Sequence, residues 1–317
     1  MKILILALAL AAQNVLAQGW PTKPVKIIVP FAPGGTSDTL GRLVAQKLSE
    51  QLKESFVVEN RPGAGGAVGS ELVSNAPPDG YTLVVSGVAS HVIAPSLPQG
   101  TPYDPLKDFT HIALFGGPPA VLAVNPSVQA KDLREFVALA KAQPGKLSYG
   151  SPGNGTQGHL VAERFKQLAG IDIQHVPYKG ASAAVTDLMG GQIQAVSTTL
   201  STAAGQIRAG KVRALAISAE SRLPDYPDVP TFVEMGYGDL VATVWFSLSG
   251  PAKLPNDIVE RLNTEVRRAL ETPDVRARLR HEGIAPNRLS AADFTAFVGE
   301  ELRRWGPIVK ASGAKVD

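Results

Sequence analysis

The sequence predicts an α/β protein built as two doubly wound lobes with a hinge and a central cleft. Three observations lead there. Short apolar runs alternate with amphipathic helical patterns along the chain, the pattern of strands covered on both faces by crossover helices. A Pro-Gly turn that passes a Thr and opens a helix occurs twice, as PGGTSDTLGRLVAQKL (33–48) and PGNGTQGHLVAERFKQL (152–168). The chain has 317 residues, 44% hydrophobic and 19% charged, enough for two ordinary domains, each with its own core.

Residues 1–17, MKILILALALAAQNVLA, read as a secretory signal peptide. Lys2 gives the positive start, an apolar stretch follows, and Val15-Leu16-Ala17 suits cleavage. The apolar run is well short of the ~20 residues a membrane span needs. Removing Lys2 takes the formal charge from +3 to +2, since 30 basic residues then face 28 acidic ones. That is too little for a nucleic-acid footprint. With no cysteine, disulfides and thiol catalysis are excluded, and the exported chain rests on its cores alone.

Strands are predicted at 25–30, 56–59, 82–86, 112–114, 120–124 and 147–149, then at 173–177, 193–196, 212–218 and 241–248. Between them Leu40, Leu43, Val44 and Leu48 share one helix face. Leu133, Phe136, Val137 and Ala140 share a second, and Leu160, Val161, Arg164, Phe165 and Leu168 a third. Alternation of this kind predicts parallel sheets with right-handed crossovers. The stretches 109–124 and 241–250 join the two units. Helices at 257–271, 273–282 and 291–312 are expected to return to the first, with Pro255 near a first turn and Asn256 or Asp257 capping it. The expected division is 18–118 plus 245–317 for lobe 1 and 119–244 for lobe 2.

Four loops at strand ends are the candidate ligand-binding elements. In the first, Gly34 and Gly35 permit close backbone approach, Thr36 and Ser37 add hydroxyls, and the helix behind them offers free N–H groups and its positive dipole end. Together these make an anion site without a charged side chain. Asp38 is read as capping the helix, so that the N–H groups ahead of it face the cleft. The second loop, Tyr149 to His159, offers Ser151, Asn154 and Thr156 as neutral donors and exposes backbone at Gly155. Open α/β sheets bind ligands where such strand ends meet. Ser86 and Ser90 lie in a third wall. In a fourth, Lys179 adds charge and Tyr178 an aromatic face, with Phe31 and Trp245 as further apolar surface.

Several chemistries fail on the residues. GAGGAVG (63–69) has Val68 where a dinucleotide fingerprint needs glycine. No phosphate-binding P-loop and no G-x-S-x-G elbow occur. The five histidines are dispersed. One His159/Glu163 pair four residues apart does not make a metal site. No metal, no cofactor and no catalytic residue is expected.

The block PVKIIVPFAPGGTSDTLGRLVAQKLSEQL, followed by VVENRPGAGGAVGSELVSNAPPDGYTLVVS, resembles the Bug or TctC family of extracytoplasmic solute-binding proteins. These serve tripartite tricarboxylate transporters. The likeness continues through LSYGSPGNGTQGHLVAERF, HVPYKGASAAVTDLMGGQIQAV, IRAGKVRALAIS, DVPTFVEMGY and LPNDIVERLNTEVRRAL, nearly the whole mature chain. It implies two Rossmann-like lobes of the type II periplasmic-binding-protein kind. A small carboxylate would be held by backbone groups of the two loops, which suits Gly34, Gly35, Thr36 and Ser37 against Ser151, Gly155 and Thr156. Two departures stand out. Where the family often reads MFD this chain has Val196-Ser197-Thr198, and its WFG is Trp245-Phe246-Ser247. Thr198 removes a charge that would suit an ammonium group, which points away from zwitterions and towards a mono- or dicarboxylate, aromatic ones included.

The function expected is therefore capture of a small carboxylate in the periplasm by hinge closure, by a monomer that hands it to permease subunits of a tripartite transporter. Two alternatives remain at this level: a ligand-dependent sensor that signals to a membrane partner, and an exported α/β enzyme acting on a carboxylate. The second lacks a recognisable catalytic group.

Overall fold

The computed structural model describes residues 19–312, so the signal-peptide reading of 1–17 lies outside the described residues. β1 (Val25–Val29) leads through a short loop into α1 (Thr36–Leu52), then β2 (Phe56–Asn60), α2 (Ala67–Ser74), β3 (Thr82–Gly87) and β4 (Phe109–Gly116). The chain then crosses to β5 (Ala120–Val124), α3 (Leu133–Ala142), β6 (Ser148–Ser151), α4 (Gln157–Ala169), β7 (Gln174–Pro177), α5 (Ala181–Met189), β8 (Ala195–Thr199), α6 (Leu200–Arg208) and β9 (Arg213–Ile217). It crosses back to β10 (Phe246–Pro251) and ends in α7 (Asn256–Leu270), α8 (Pro273–His281) and α9 (Ala291–Ser312).

Two five-stranded sheets result, ordered β2-β1-β3-β10-β4 and β7-β6-β8-β5-β9. Neither is purely parallel, contrary to the expectation from alternation. β10 runs antiparallel to β3 and β4, and β5 antiparallel to β8 and β9. The reason is topological. β5 and β10 are the first strands after each crossing, and each joins its new sheet against the direction of its neighbours. Strand 241–248 of the sequence reading also shifts. Sheet pairing starts at Phe246, while Val244 N–H donates to Pro118 O at 3.0 Å, so the two crossings bond to each other.

Each sheet is covered on both faces. Val25, Ile27 and Val29 of β1 pack with Leu40, Leu43, Val44 and Leu48 of α1, whose spacing puts them on one helix face. Ile28, pointing the other way, packs with Ala67, Val73, Val84, Tyr103 and Phe109. In the second sheet Val121, Ala123 and Val196 meet Leu188, Leu200 and Ala203 of α5 and α6. α7 starts after Pro255 with no side-chain cap, so neither Asn256 nor Asp257 has the capping role expected of them; both sit in the first turn, where the Asp257 charge still favours the dipole. α9 packs on β4 and reaches across to α4, so the last helix of lobe 1 also touches lobe 2.

Candidate functional site

The loop after β1 turns at Gly34, whose φ of +85° is left-handed backbone that a Cβ disfavours. Gly34 N–H donates to Asp38 Oδ2 at 3.0 Å. Arg42 Nε donates to the same oxygen at 3.0 Å, and Asn60 Nδ2 to Asp38 Oδ1 at 2.9 Å. Asp38 therefore does not cap the helix. Gly35 is the N-cap, without any side-chain cap bond, and the carboxylate instead ties the loop back towards β2. Burial pushes the Asp38 carboxyl up, but the bonds from Arg42, Gly34 and Asn60 outweigh it and hold it below the usual range. Relieved of a capping carboxylate, the first-turn amides of Ser37 and Asp38 keep no intrahelical acceptor.

The loop after β6 is held by neutral groups. Gly153 N–H donates to Ser151 Oγ at 3.2 Å, and that oxygen lies 2.7 Å from His175 Nε2. Thr156 caps α4, accepting from His159 N–H at 3.4 Å and donating to Gly153 O at 2.8 Å. Gly155 N–H donates to His159 Nδ1 at 3.1 Å. The His159 and His175 rings stack at 4.1 Å, with Tyr149 stacked beyond at 4.9 Å. Burial, with His159 alongside, takes His175 down to about 3, so it is neutral. At Gly158 a Cβ would lie 2.4 Å from Ser197 O. Only glycine lets the start of α4 sit this close to β8.

Between these loops lies a cavity of about 60 Å³. Gly35, Thr36 and Ser37 open α1 on one side, and Thr156, Gln157 and Gly158 open α4 on the other. Phe31, Val85, Val88, Pro152, Val244 and Trp245 make apolar walls, and no charged side chain lines it. Two helix N-termini thus converge on one space, a positive field made without cations. Buried polar atoms without a protein partner cluster here: Ser37 Oγ and both amide atoms of Gln157 in the wall, with Thr198 Oγ1 behind it. Native interiors rarely leave such groups unpaired, so each marks a place for a ligand or water.

One wall is directionally wired. His111 Nε2 lies 3.0 Å from Pro105 O, a carbonyl that can only accept, so Nε2 carries the proton. Burial lowers the His111 pKa to about 4, leaving Nδ1 as an acceptor. Ser249, 3.0 Å away, must donate to it. Ser86 then donates to Ser249 at 2.6 Å and accepts from Ser247 at 2.7 Å. The proton of Ser86 is spent, and its hydroxyl has only a lone pair left to offer.

The lobes are in direct contact around the cavity. Thr36 Oγ1 lies 2.6 Å from Thr199 Oγ1, 2.5 Å from Ser201 Oγ and 2.9 Å from Thr202 Oγ1. Thr36 N–H donates to Thr202 Oγ1 at 3.2 Å, Ser182 Oγ to Pro33 O at 2.8 Å, and Ala32 N–H to Lys179 O at 3.3 Å.

A family model described as tripartite tricarboxylate transporter family receptor matches residues 40–314. The chain belongs to this receptor family. Protein BugT of Bordetella pertussis is 34% identical over 314 residues, 99% of this chain and 96% of the relative. Among solved structures, R. palustris Rpa4515 with adipate is 34% identical with a TM-score of 0.90, covering 93% of this chain and 99% of that one. MatC from Rhodopseudomonas palustris with bound malate is also 34% identical, with a TM-score of 0.87 and coverage of 92% and 100%. The family is one of solute-binding receptors rather than enzymes. Among the described residues of this receptor, no helix is long and apolar enough to cross a membrane, and no cluster of side chains is fit to hold a metal.

Of the residues singled out in the sequence, the receptor brings Phe31, Gly35, Thr36, Ser37, Ser86 and Thr156 to the cavity wall. Asn154, Tyr178 and Lys179 do not reach it. They line a separate space of about 110 Å³ with Gly63 to Gly66, which shares Phe31 and Pro152 with the first. Tyr178 spends its hydroxyl on Asp187 at 2.7 Å. Gly34, Asp38, Ser151, Gly155 and Thr198 stand behind the wall, and Ser90 bonds to His91 at 3.0 Å, away from it. Sequence reading missed Gln157 and Thr199, both in the wall. The signal for Gln157 was its place directly after the capping Thr156, in a first helical turn at a strand end.

Proposed function

We propose that this receptor captures a small mono- or dicarboxylate between its lobes and presents the closed form to membrane permease subunits on the periplasmic side. The observation that carries the reading is the cavity between the two loops. Two helix starts converge there, Ser37 Oγ and the Gln157 amide lack protein partners, and no side-chain charge competes. A carboxylate accepts from such donors, and no acidic side chain in the wall repels it. The adipate and malate held by two solved family structures support the same ligand class.

Lobe 1, taken as 18–118 with 245–317, and lobe 2, taken as 119–244, would rotate about the two bonded crossings. In the open form each loop is wet and its amides are solvated. A carboxylate docks on one helix start and recruits the other. Closure removes water and strengthens each N–H contact, and the Thr36 hydroxyl cluster then completes the seal.

A thermal-shift screen of the mature protein against small carboxylates tests this. A hit raises the melting temperature, since a ligand that binds only the folded form stabilises it by mass action. A library of mono- and dicarboxylates with no shift at millimolar concentration would overturn the reading. Small-angle scattering of a hit should show a smaller radius of gyration than the free protein.

A further inference from the structure

We propose that the ligand carries a hydroxyl next to its carboxylate, and that Gln157, with Ser86 contributed to the same cavity wall by the other lobe, selects for that hydroxyl. This rests on the carboxylate reading above. An ionised carboxylate only accepts hydrogen bonds. It satisfies the helix-start amides, Ser37 Oγ and Gln157 Nε2. It leaves Gln157 Oε1 unpaired in a residue only 1% exposed, and it meets Ser86, whose wired hydroxyl has nothing but a lone pair to offer. Leaving a buried acceptor unsatisfied costs free energy. Two acceptors, one from each lobe, therefore call for a donor on the ligand.

The donor's position follows from the amide. Nε2 and Oε1 hang on one carbon, so the groups they engage must be neighbours, as when the same amide reads the edge of adenine. A carboxylate oxygen beside a hydroxyl on the adjacent carbon meets that requirement. An ammonium in place of the hydroxyl does not, because a buried ammonium needs a counter-charge. No acidic side chain lines the cavity, and Asp38, behind it, is already engaged by Gly34, Arg42 and Asn60. The class assigned is thus the 2-hydroxycarboxylates, ahead of their deoxy and 2-amino counterparts.

The test is calorimetry on the mature protein with matched sets: lactate, propionate and alanine; malate, succinate and aspartate; mandelate and phenylacetate. Wherever binding is seen, the hydroxy member should be at least about tenfold tighter than the deoxy member, a ratio set by leaving an acceptor unpaired. Gln157→Met keeps the length and removes both amide atoms, and should bring that ratio close to one. Ser86→Ala should lower it by a smaller factor. Equal affinity for hydroxy and deoxy members, tighter binding of the amino member, or a ratio that survives Gln157→Met would each overturn the inference while leaving carboxylate capture intact. Binding by no member of any set, with a hit in the wider carboxylate library, would overturn this inference alone; silence across that library overturns both. If Gln157→Met fails to fold by circular dichroism, the wild-type ratio alone decides.

Discussion

In lobe 1 the loop before α1 is tied back by a carboxylate, Asp38, which accepts from Gly34, Arg42 and Asn60. In lobe 2 the loop before α4 is tied back by hydroxyls and imidazoles, through Ser151, Thr156, His159 and the neutral His175. Both arrangements end with a helix start facing the same cavity. The difference shows that what a helix N-terminus needs in order to receive an anion is a support placed behind the loop. The support can be charged or neutral, provided its charge is spent before the cavity begins.

The comparison is broken most severely at Gly158. Gly158→Val would drive a side chain into Ser197 O and should cost about 3 kcal/mol in urea denaturation, with ligand binding lost in calorimetry. Next comes Asp38→Ala. It frees Gly34 N–H and removes the charge-assisted bonds from Arg42, and should cost about 2 kcal/mol with a weakened ligand affinity. A variant as stable as the wild type would show that the carboxylate does not hold the loop.

Acid separates the two supports. His175, in the lobe 2 support, is held neutral in the folded protein with a pKa of about 3, and His111, in β4 and outside both supports, with one of about 4, while the unfolded chain takes up their protons near pH 6.5. The unfolded state therefore binds more protons in this window. The stability these groups contribute is complete above pH 6.5 and falls as the pH drops towards 4. For buried His111 the slope is at most about 1.4 kcal/mol per pH unit. Asp38 has a lowered pKa, so its loop keeps its charge throughout that window. Amide protection at Gly153 should thus decline at a higher pH than protection at Gly34, a ranking that hydrogen exchange reads directly. The smallest effect is Ser151→Ala, about 1 kcal/mol for a neutral bond. It should also narrow the difference in acid sensitivity between the loops.

Much of this was legible in the sequence because it rests on glycine, proline and periodicity. The Pro33-Gly34-Gly35 turn, the Tyr149–His159 loop and the apolar face of α1 can be read residue by residue. Strand polarity cannot, since β5 and β10 have the same apolar pattern whichever way they run. Asp38 was misassigned because a carboxylate at a helix start usually caps it, and only the distant Asn60 and the local Arg42 show where its oxygens go. Gln157 was passed over because glutamine is normally a surface residue. The Thr36 contacts with Thr199 and Thr202 could not be read either: three hydroxyls that mean nothing until two lobes meet.

Trp245 has one further consequence. Its indole forms part of the cavity wall, while its ring nitrogen donates to Glu301 on α9 at 2.9 Å and its edge meets Phe294 and Phe297. The fluorophore is therefore clamped on one side and open to the guest on the other. Arrival of a solute changes only the open side, so the molecule carries an optical gauge of its own occupancy, readable in emission colour and intensity without any attached dye.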